Sequence, residues 1–180
     1  MENLITVDGL TFEPYITRDE IQKQVKRVAE EIKSDMKGRA PLFVCVLNGA
    51  FMFAADLIRE CGINDSHIAF VRYKSYEGTA SSGKVKEVMG LTEDIEGRDV
   101  VIIEDIVDTG ESIEHMIKEL EARNPASVEV CTLFFKPGSY RKTLPIKYRA
   151  MEIGNEFIVG YGLDYDQLGR SLKDIYVVTE

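Results

Sequence analysis

The chain has 180 residues, 44% hydrophobic and 29% charged, which suits one compact domain with a buried core and excludes a disordered segment. Its 31 acids against 22 bases give a net charge of -9, and no Lys/Arg stripe is present, so neither nucleic acid nor a membrane surface is an expected partner. Any anionic substrate must then be held by backbone N–H groups and bound metal rather than by a basic surface.

Residues 4–12 read as a short strand or hairpin broken at Asp8-Gly9. A helix follows, with Thr17 and Glu20 forming a capping box, Ile21, Val25, Val28, Ile32 and Met36 at helical spacing, and Gly38 as its stop. A β-rich run over 42–47 halts at Asn48-Gly49, and 50–61 is apolar enough on most sides for a buried helix. Another strand covers 67–73. From Ser75 to Thr92 small polar residues replace the hydrophobic period, giving a long structureless loop of the kind that is usually functional. Residues 100–104 form a strand apolar on both faces, and a helix with Ile113, Met116, Ile117 and Leu120 on one side comes next. Strands at 128–135, 157–161 and 175–178 complete the pattern. Strands alternating with helices predict an α/β fold with a largely parallel sheet flanked by helices. Cys45, Cys61 and Cys131 are widely spaced among apolar residues, as buried thiols in a reducing compartment are. With no signal-peptide pattern and no bilayer-length apolar stretch, the expected location is cytoplasmic.

The most informative stretch is Val100-Val101-Ile102-Ile103-Glu104-Asp105-Ile106-Val107-Asp108-Thr109-Gly110-Glu111-Ser112. A buried strand runs into two adjacent carboxylates, then a third, then a Thr-Gly-x-Ser turn that opens a helix. Ligands of open α/β sheets bind beyond the carboxyl ends of the strands, and a turn rich in N–H groups at a helix N-terminus suits a phosphate monoester. The acid pair would repel that phosphate unless it faces something else. Vicinal ribose hydroxyls, sharing a divalent metal with the carboxylates, meet the requirement, so a ribose 5-phosphate fits the motif. A metal-dependent phosphoacceptor domain also shows acids at strand ends. It would place its acid pair near the chain start and a lysine after a later strand, with no Gly-rich turn directly after the acids.

The stretch resembles the diphosphate-ribose signature of the type I phosphoribosyltransferases, in the branch that acts on hypoxanthine and guanine. The resemblance continues through Leu47-Asn48-Gly49-Ala50-Phe51-Met52-Phe53, Arg72-Tyr73-Lys74-Ser75-Tyr76, Thr79-Ala80-Ser81-Ser82-Gly83, Lys136-Pro137 and Phe157-Ile158-Val159-Gly160-Tyr161-Gly162-Leu163-Asp164-Tyr165. It implies a single domain over 1–180, with a core at about 17–155, a small hood from about 1–12 and 156–180, and a mobile lid at about 74–90. It also implies magnesium as cofactor, self-association as a homodimer or homotetramer, and transfer of a phosphoribosyl group from 5-phosphoribosyl 1-diphosphate to a 6-oxopurine base.

Site roles carried over by resemblance are these. Glu104 and Asp105 hold the ribose hydroxyls, partly through metal, and Asp108 is the general base or acid near N7 of the purine. Thr109, Gly110, Glu111 and Ser112 wrap the 5'-phosphate; Glu111 departs from the lysine common in relatives, which implies that its side chain points outward. Asn48 and Gly49 bind diphosphate through backbone, Asn48 standing where relatives often carry a basic residue. Ser75 and Tyr76 close over the diphosphate, and Arg170 reaches it. Lys136, which alone would read as a surface charge after a strand, donates to O6 of the base. Phe157, otherwise a core residue, stacks on the purine; Ile158 offers backbone groups to the base edge, and Asp164 places a second magnesium. His67 and His115 belong to no constellation and are expected in surface or packing roles. Two rivals are a xanthine-preferring enzyme of the same type and a nucleic-acid-binding regulator that senses the activated sugar. The second should carry a basic patch or added domain, which this acidic chain lacks room for.

Overall fold

A computed structural model of the chain describes residues 4–75 and 85–179. The opening hairpin pairs β1 (Ile5–Val7) with β2 (Leu10–Ile16) around Asp8-Gly9, both residues at positive φ. β2 continues past residue 12 because its other edge is taken by a strand from the far end of the chain. In α1 (Arg18–Asp35) the capping box is present, Thr17 Oγ1 accepting from the Glu20 N–H at 3.3 Å and the Glu20 carboxylate accepting from the Thr17 N–H at 2.9 Å. The helix buries Ile21, Val25, Val28, Ala29 and Ile32.

β3 (Leu42–Val46), α2 (Phe51–Cys61) and β4 (His67–Ser75) follow as read from the sequence. β5 (Val85–Met89) does not: it lies within the stretch expected to be structureless, yet pairs antiparallel with β4. It is a short edge strand with charges at two of five positions, so it carries no clear period. β6 (Asp99–Val107), α3 (Glu111–Glu121) and β7 (Ser127–Phe135) form the next crossover unit. β8 (Tyr148–Glu152) was not expected; its alternation of buried Tyr148 and Ala150 with exposed Arg149 is too brief to stand out. β9 (Ile158–Val159) is shorter than the strand expected at 157–161, and β10 (Ile175–Val178) closes the order.

The main sheet runs β5-β4-β3-β6-β7-β8, parallel except for the β4–β5 edge, as the predicted α/β class requires. The second sheet, β1-β2-β10-β9, is antiparallel and draws on both ends of the chain. Side chains of β3 alternate between two cores: Phe43 and Cys45 face α1 and α2, while Leu42, Val44 and Val46 face α3. Because α2 and α3 leave β3 and β6 on opposite faces, the chain order reverses between these neighbouring strands. A crevice opens at their carboxyl ends.

Cys45, Cys61 and Cys131 are all buried and free. Burial pushes the Cys45 and Cys61 thiols up to about 12, and Cys131 well up. His67 Nδ1 lies 2.7 Å from Arg98 Nη2, and His115 packs edge-on against Tyr73, both outside the crevice. No helix among the described residues is long and apolar enough to cross a membrane. With the thiols buried and protonated, an aromatic disulfide reagent at about pH 8 is expected to titrate essentially none of them in the native protein and all of them in denaturant; rapid native labelling would contradict this packing.

Candidate active site

The sequence reading ended this strand at Glu104, whereas β6 continues through Asp105 to Val107. Strict alternation would send these neighbours to opposite faces. Instead Val101, Ile103 and Ile106 all pack on the α1/α2 side, and Val107 joins the α3 side, so the alternation slips by one across the pair. β7 slips in register with it, Leu133 and Phe134 both facing α1/α2, and buried Thr132 donates its hydroxyl to the Phe134 carbonyl at 2.8 Å. The slip is what brings two consecutive carboxylates together. Desolvation, with repulsion from Asp105, holds the Glu104 carboxyl well above its usual range. Desolvation also raises Asp105, against N–H donation from Ile106 and the field of Arg170.

Past Val107 the strand ends and Asp108 stands half-exposed. Gly110 turns the chain at φ 88° and forms the N-cap of α3. Unlike Thr17, Gly110 has no side chain to cap with, so the first N–H groups of α3 remain largely open. Thr109 Oγ1 only grazes the Glu111 N–H at 3.4 Å. Residues 104 and 106–113 enclose a polar cavity of about 110 Å³ there. The Glu111 side chain is 59% exposed and its carboxylate pairs with Lys142 at 2.7 Å.

Asn48-Gly49 follows β3, beside the acid pair. A Cβ on Gly49 would collide with the Asp105 carboxylate, and one on Gly162 with the Gly49 carbonyl. The Gly162 strap thus meets the loop after β3 backbone to backbone, at a positive φ that favours glycine, whereas the neighbour of Gly49 is the end of the Asp105 side chain. Arg170 Nη1 donates to the Gly162 carbonyl at 2.7 Å and Nη2 pairs with Asp164 Oδ1 at 2.7 Å, while Asp164 Oδ2 accepts from the Gln167 N–H at 2.8 Å. Asp164 is thus engaged by its own loop. Ser75 ends β4, and Tyr76 with most of the expected lid lies outside the described residues.

Lys136 is buried at 8% exposure, contrary to a surface charge; Nζ donates to the Glu156 carbonyl at 3.0 Å and sits 3.9 Å from Asp108 Oδ2. Phe157 is 43% exposed, held edge-on by Tyr165 and tilted against Phe12, so one face is open rather than packed into the core. Ile158 beside it is buried in β9.

Sequence reasoning missed two supports. The segment between β7 and β8 braces the turn, the Arg141 N–H donating to the Thr109 carbonyl at 3.1 Å. Tyr161, at φ 46° between Gly160 and Gly162, donates its hydroxyl to Asp56 Oδ2 at 2.5 Å, where Gln22 Nε2 also donates at 2.8 Å. Burial opposes ionisation of Asp56, but these bonds and Arg59 win and hold its carboxyl below the usual range. Only the flanking glycines hinted at Tyr161, and nothing local marked Lys142.

Among the described residues no cluster of three or more His, Cys, Asp or Glu forms a metal cage, and Asp164 does not join the acid pair. Two half-buried carboxylates that no cation among the described residues bonds still fit magnesium, which is commonly held by one or two carboxylates with substrate oxygens and water completing its shell.

A sheet reversal with an acid pair on one strand end and an open helix N-terminus after it is the arrangement of a phosphoribosyl transferase domain, and the family of that description matches residues 17–166. The chain is 40% identical over 167 residues to a hypoxanthine-guanine phosphoribosyltransferase of Streptococcus thermophilus, covering 91% of each, and 38% identical to one of Mycobacterium bovis, covering 89% of this chain and 82% of the relative. A crystal structure of a hypoxanthine-guanine phosphoribosyltransferase from Bacillus anthracis superposes with a TM-score of 0.87 at 35% identity, covering 92% of this chain and 98% of the other. The chain belongs to the phosphoribosyl transferase family, among the hypoxanthine-guanine phosphoribosyltransferases.

Because both carboxyls are pushed up, their ionised forms are penalised in the fold. Asp105→Asn is therefore expected to raise the thermal midpoint of metal-free protein by roughly 2–4 °C while weakening sugar-diphosphate binding; a lowered midpoint would show that other partners already offset the charge.

Proposed function

We propose that the protein transfers the 5-phosphoribosyl group of 5-phosphoribosyl 1-diphosphate to N9 of hypoxanthine or guanine, releasing IMP or GMP and diphosphate, in purine salvage. The observation that carries this reading is the approach of Lys136 Nζ to Asp108 Oδ2, 3.9 Å, directly beside the open N-terminus of α3. N7 and O6 lie on one edge of a 6-oxopurine. Asp108 is suited to the N7 proton and Lys136 to O6, and the half-open ring of Phe157 to the purine face.

The chemistry follows from the charges that develop. Breaking the anomeric C–O bond makes the ribosyl carbon cationic and the departing diphosphate more negative. Glu104 and Asp105 accept from the ribose hydroxyls and place negative charge beside the first. Backbone N–H groups of Asn48-Gly49, with Arg170 and Ser75-Tyr76, hold the second; N–H groups of Thr109, Gly110, Glu111 and Ser112 fix the 5'-phosphate. Magnesium, held by Glu104 and Asp105 and in a second place near Asp164, would draw charge from the diphosphate when bound. Asp108 accepts the N7 proton, which makes N9 a better nucleophile. Adenine would turn an amino group toward a buried ammonium, leaving donors unpaired, and is rejected.

Purified protein with magnesium and the activated sugar is expected to turn over hypoxanthine and guanine, xanthine poorly and adenine not at all. Asp108→Asn is expected to lower kcat about 10²–10⁴-fold while sugar binding is retained; unchanged turnover removes Asp108 from the mechanism, and a preference for xanthine overturns the assigned base.

The same reading includes self-association and a cytoplasmic, reducing location, the latter supported by three buried thiols. For the former, Phe51 and Ile58 of α2 meet Ile68 and Phe70 of β4 around an open apolar hollow of about 300 Å³, with Phe51 51% and Phe70 45% exposed. A second copy of the chain is the occupant that family membership favours. Phe70→Glu is expected to lower the mass seen by sedimentation to that of one chain; an unaltered oligomer would move the interface elsewhere.

A further inference from the structure

Glu111 and Glu114 bring two acids into the first turn of α3, whose N–H groups are open at Gly110. Acids there complement the helix dipole of an unliganded protein, but they act against a phosphate brought to the same N–H groups. One residue far along the chain meets both. Lys142, between β7 and β8, sets Nζ 2.7 Å from Glu111 Oε1 and 3.1 Å from Glu114 Oε2, and its side chain is 16% exposed where that of Glu111 is 59%. Lys118 reaches Glu114 at 3.3 Å from the solvent side, 69% exposed, and is not paired with Glu111.

The lysine is not a loosely held surface charge. The Arg141 N–H before it is bonded to the Thr109 carbonyl at 3.1 Å. Tyr140 packs edge-on against Phe135 with ring centres 5.1 Å apart and donates its hydroxyl to the Leu144 carbonyl at 2.7 Å. Gly110 lies so close to the Tyr140 ring and the Lys142 stem that a Cβ would collide with both. The segment thus grips the turn through backbone, ring and charge together.

We infer that Lys142 is a positioning residue for the 5'-phosphate: its ion pair draws the Glu111 carboxylate aside and cancels its charge, leaving the N–H groups of the 109–112 turn to the phosphate. This rests on the assignment of that turn to the phosphate and adds the residue outside it that makes an acid at 111 compatible with binding. For an uncompensated charge roughly 6 Å from a phosphate dianion in water-like surroundings, Coulomb's law gives about a tenfold loss of affinity.

The test compares Lys142→Met, Glu111→Gln, the double variant and Ser112→Ala, with dissociation constants for IMP and for inosine, which lacks the phosphate, together with steady-state kinetics and a melting curve. Lys142→Met is expected to weaken IMP and raise KM for the activated sugar about tenfold, with inosine affinity and kcat little changed. The double variant is expected to recover IMP affinity to within about twofold of the parent, a recovery that loss of a merely structural contact would not give. The inference is overturned if Lys142→Met weakens IMP and inosine alike, if the double variant is no better than Lys142→Met, or if IMP binding survives Lys142→Met while Ser112→Ala abolishes it. If neither Lys142→Met nor Ser112→Ala affects IMP, the phosphate assignment itself falls. Should Lys142→Met not fold, Glu111→Gln decides alone: with the acid's charge gone and Lys142 still held by Glu114, IMP is expected to bind several-fold tighter, and unchanged affinity overturns the inference.

Discussion

Two carboxylates enclosed side by side are unfavourable until something positive or hydrogen-bond-donating joins them, and the surroundings of Glu104 and Asp105 are arranged around that imbalance. Matched slips in β6 and β7 put the pair together instead of on opposite faces. Gly49 lets the loop after β3 approach Asp105 with no side chain of its own between, and Arg170 lends its field from the segment before β10. On the proposed function, a metal-bearing polyol would relieve that state, and affinity would come from completing the site rather than from a basic surface.

That acidity shapes how anions are held. Around the turn after β6 the groups open to an anion on the proposed reading are backbone N–H dipoles, left uncapped by Gly110, while Glu111 and Glu114 beside them are paired with Lys142. At the other end of the crevice the cation Arg170 is itself tied to Asp164. Charges are placed in opposed pairs at both ends, and the net field is set by geometry more than by composition.

Much of this was legible in the chain. The α/β class follows from alternating strand and helix periods, α1 from its capping box and heptad-like spacing, and the acid–acid–turn run from its own composition. β5 and β8 were not, because five-residue edge strands with charges carry too little alternation to separate from loop. The extension of β6 past Glu104 was missed for a related reason: polar residues at a strand end look like a turn unless the partner strand is known. Lys136 and Phe157 read by pattern as surface and core, and the structure reverses both, since burial of a cation and exposure of an aromatic ring are set by tertiary neighbours. Lys142, Tyr161 and Asp56 act across long chain separations, and no local spacing encodes such contacts.

The contact between Gly162 and Gly49 has a consequence of its own. It welds the peptide plane that follows β3 to the strap leading into Asp164, with no side chain to act as a cushion. A shift of the smaller sheet is transmitted directly to the loop after β3, without rotamer changes to absorb it. Small displacements in the antiparallel layer should therefore register in the crevice as whole-backbone movements, and the two layers behave there as one mechanical part.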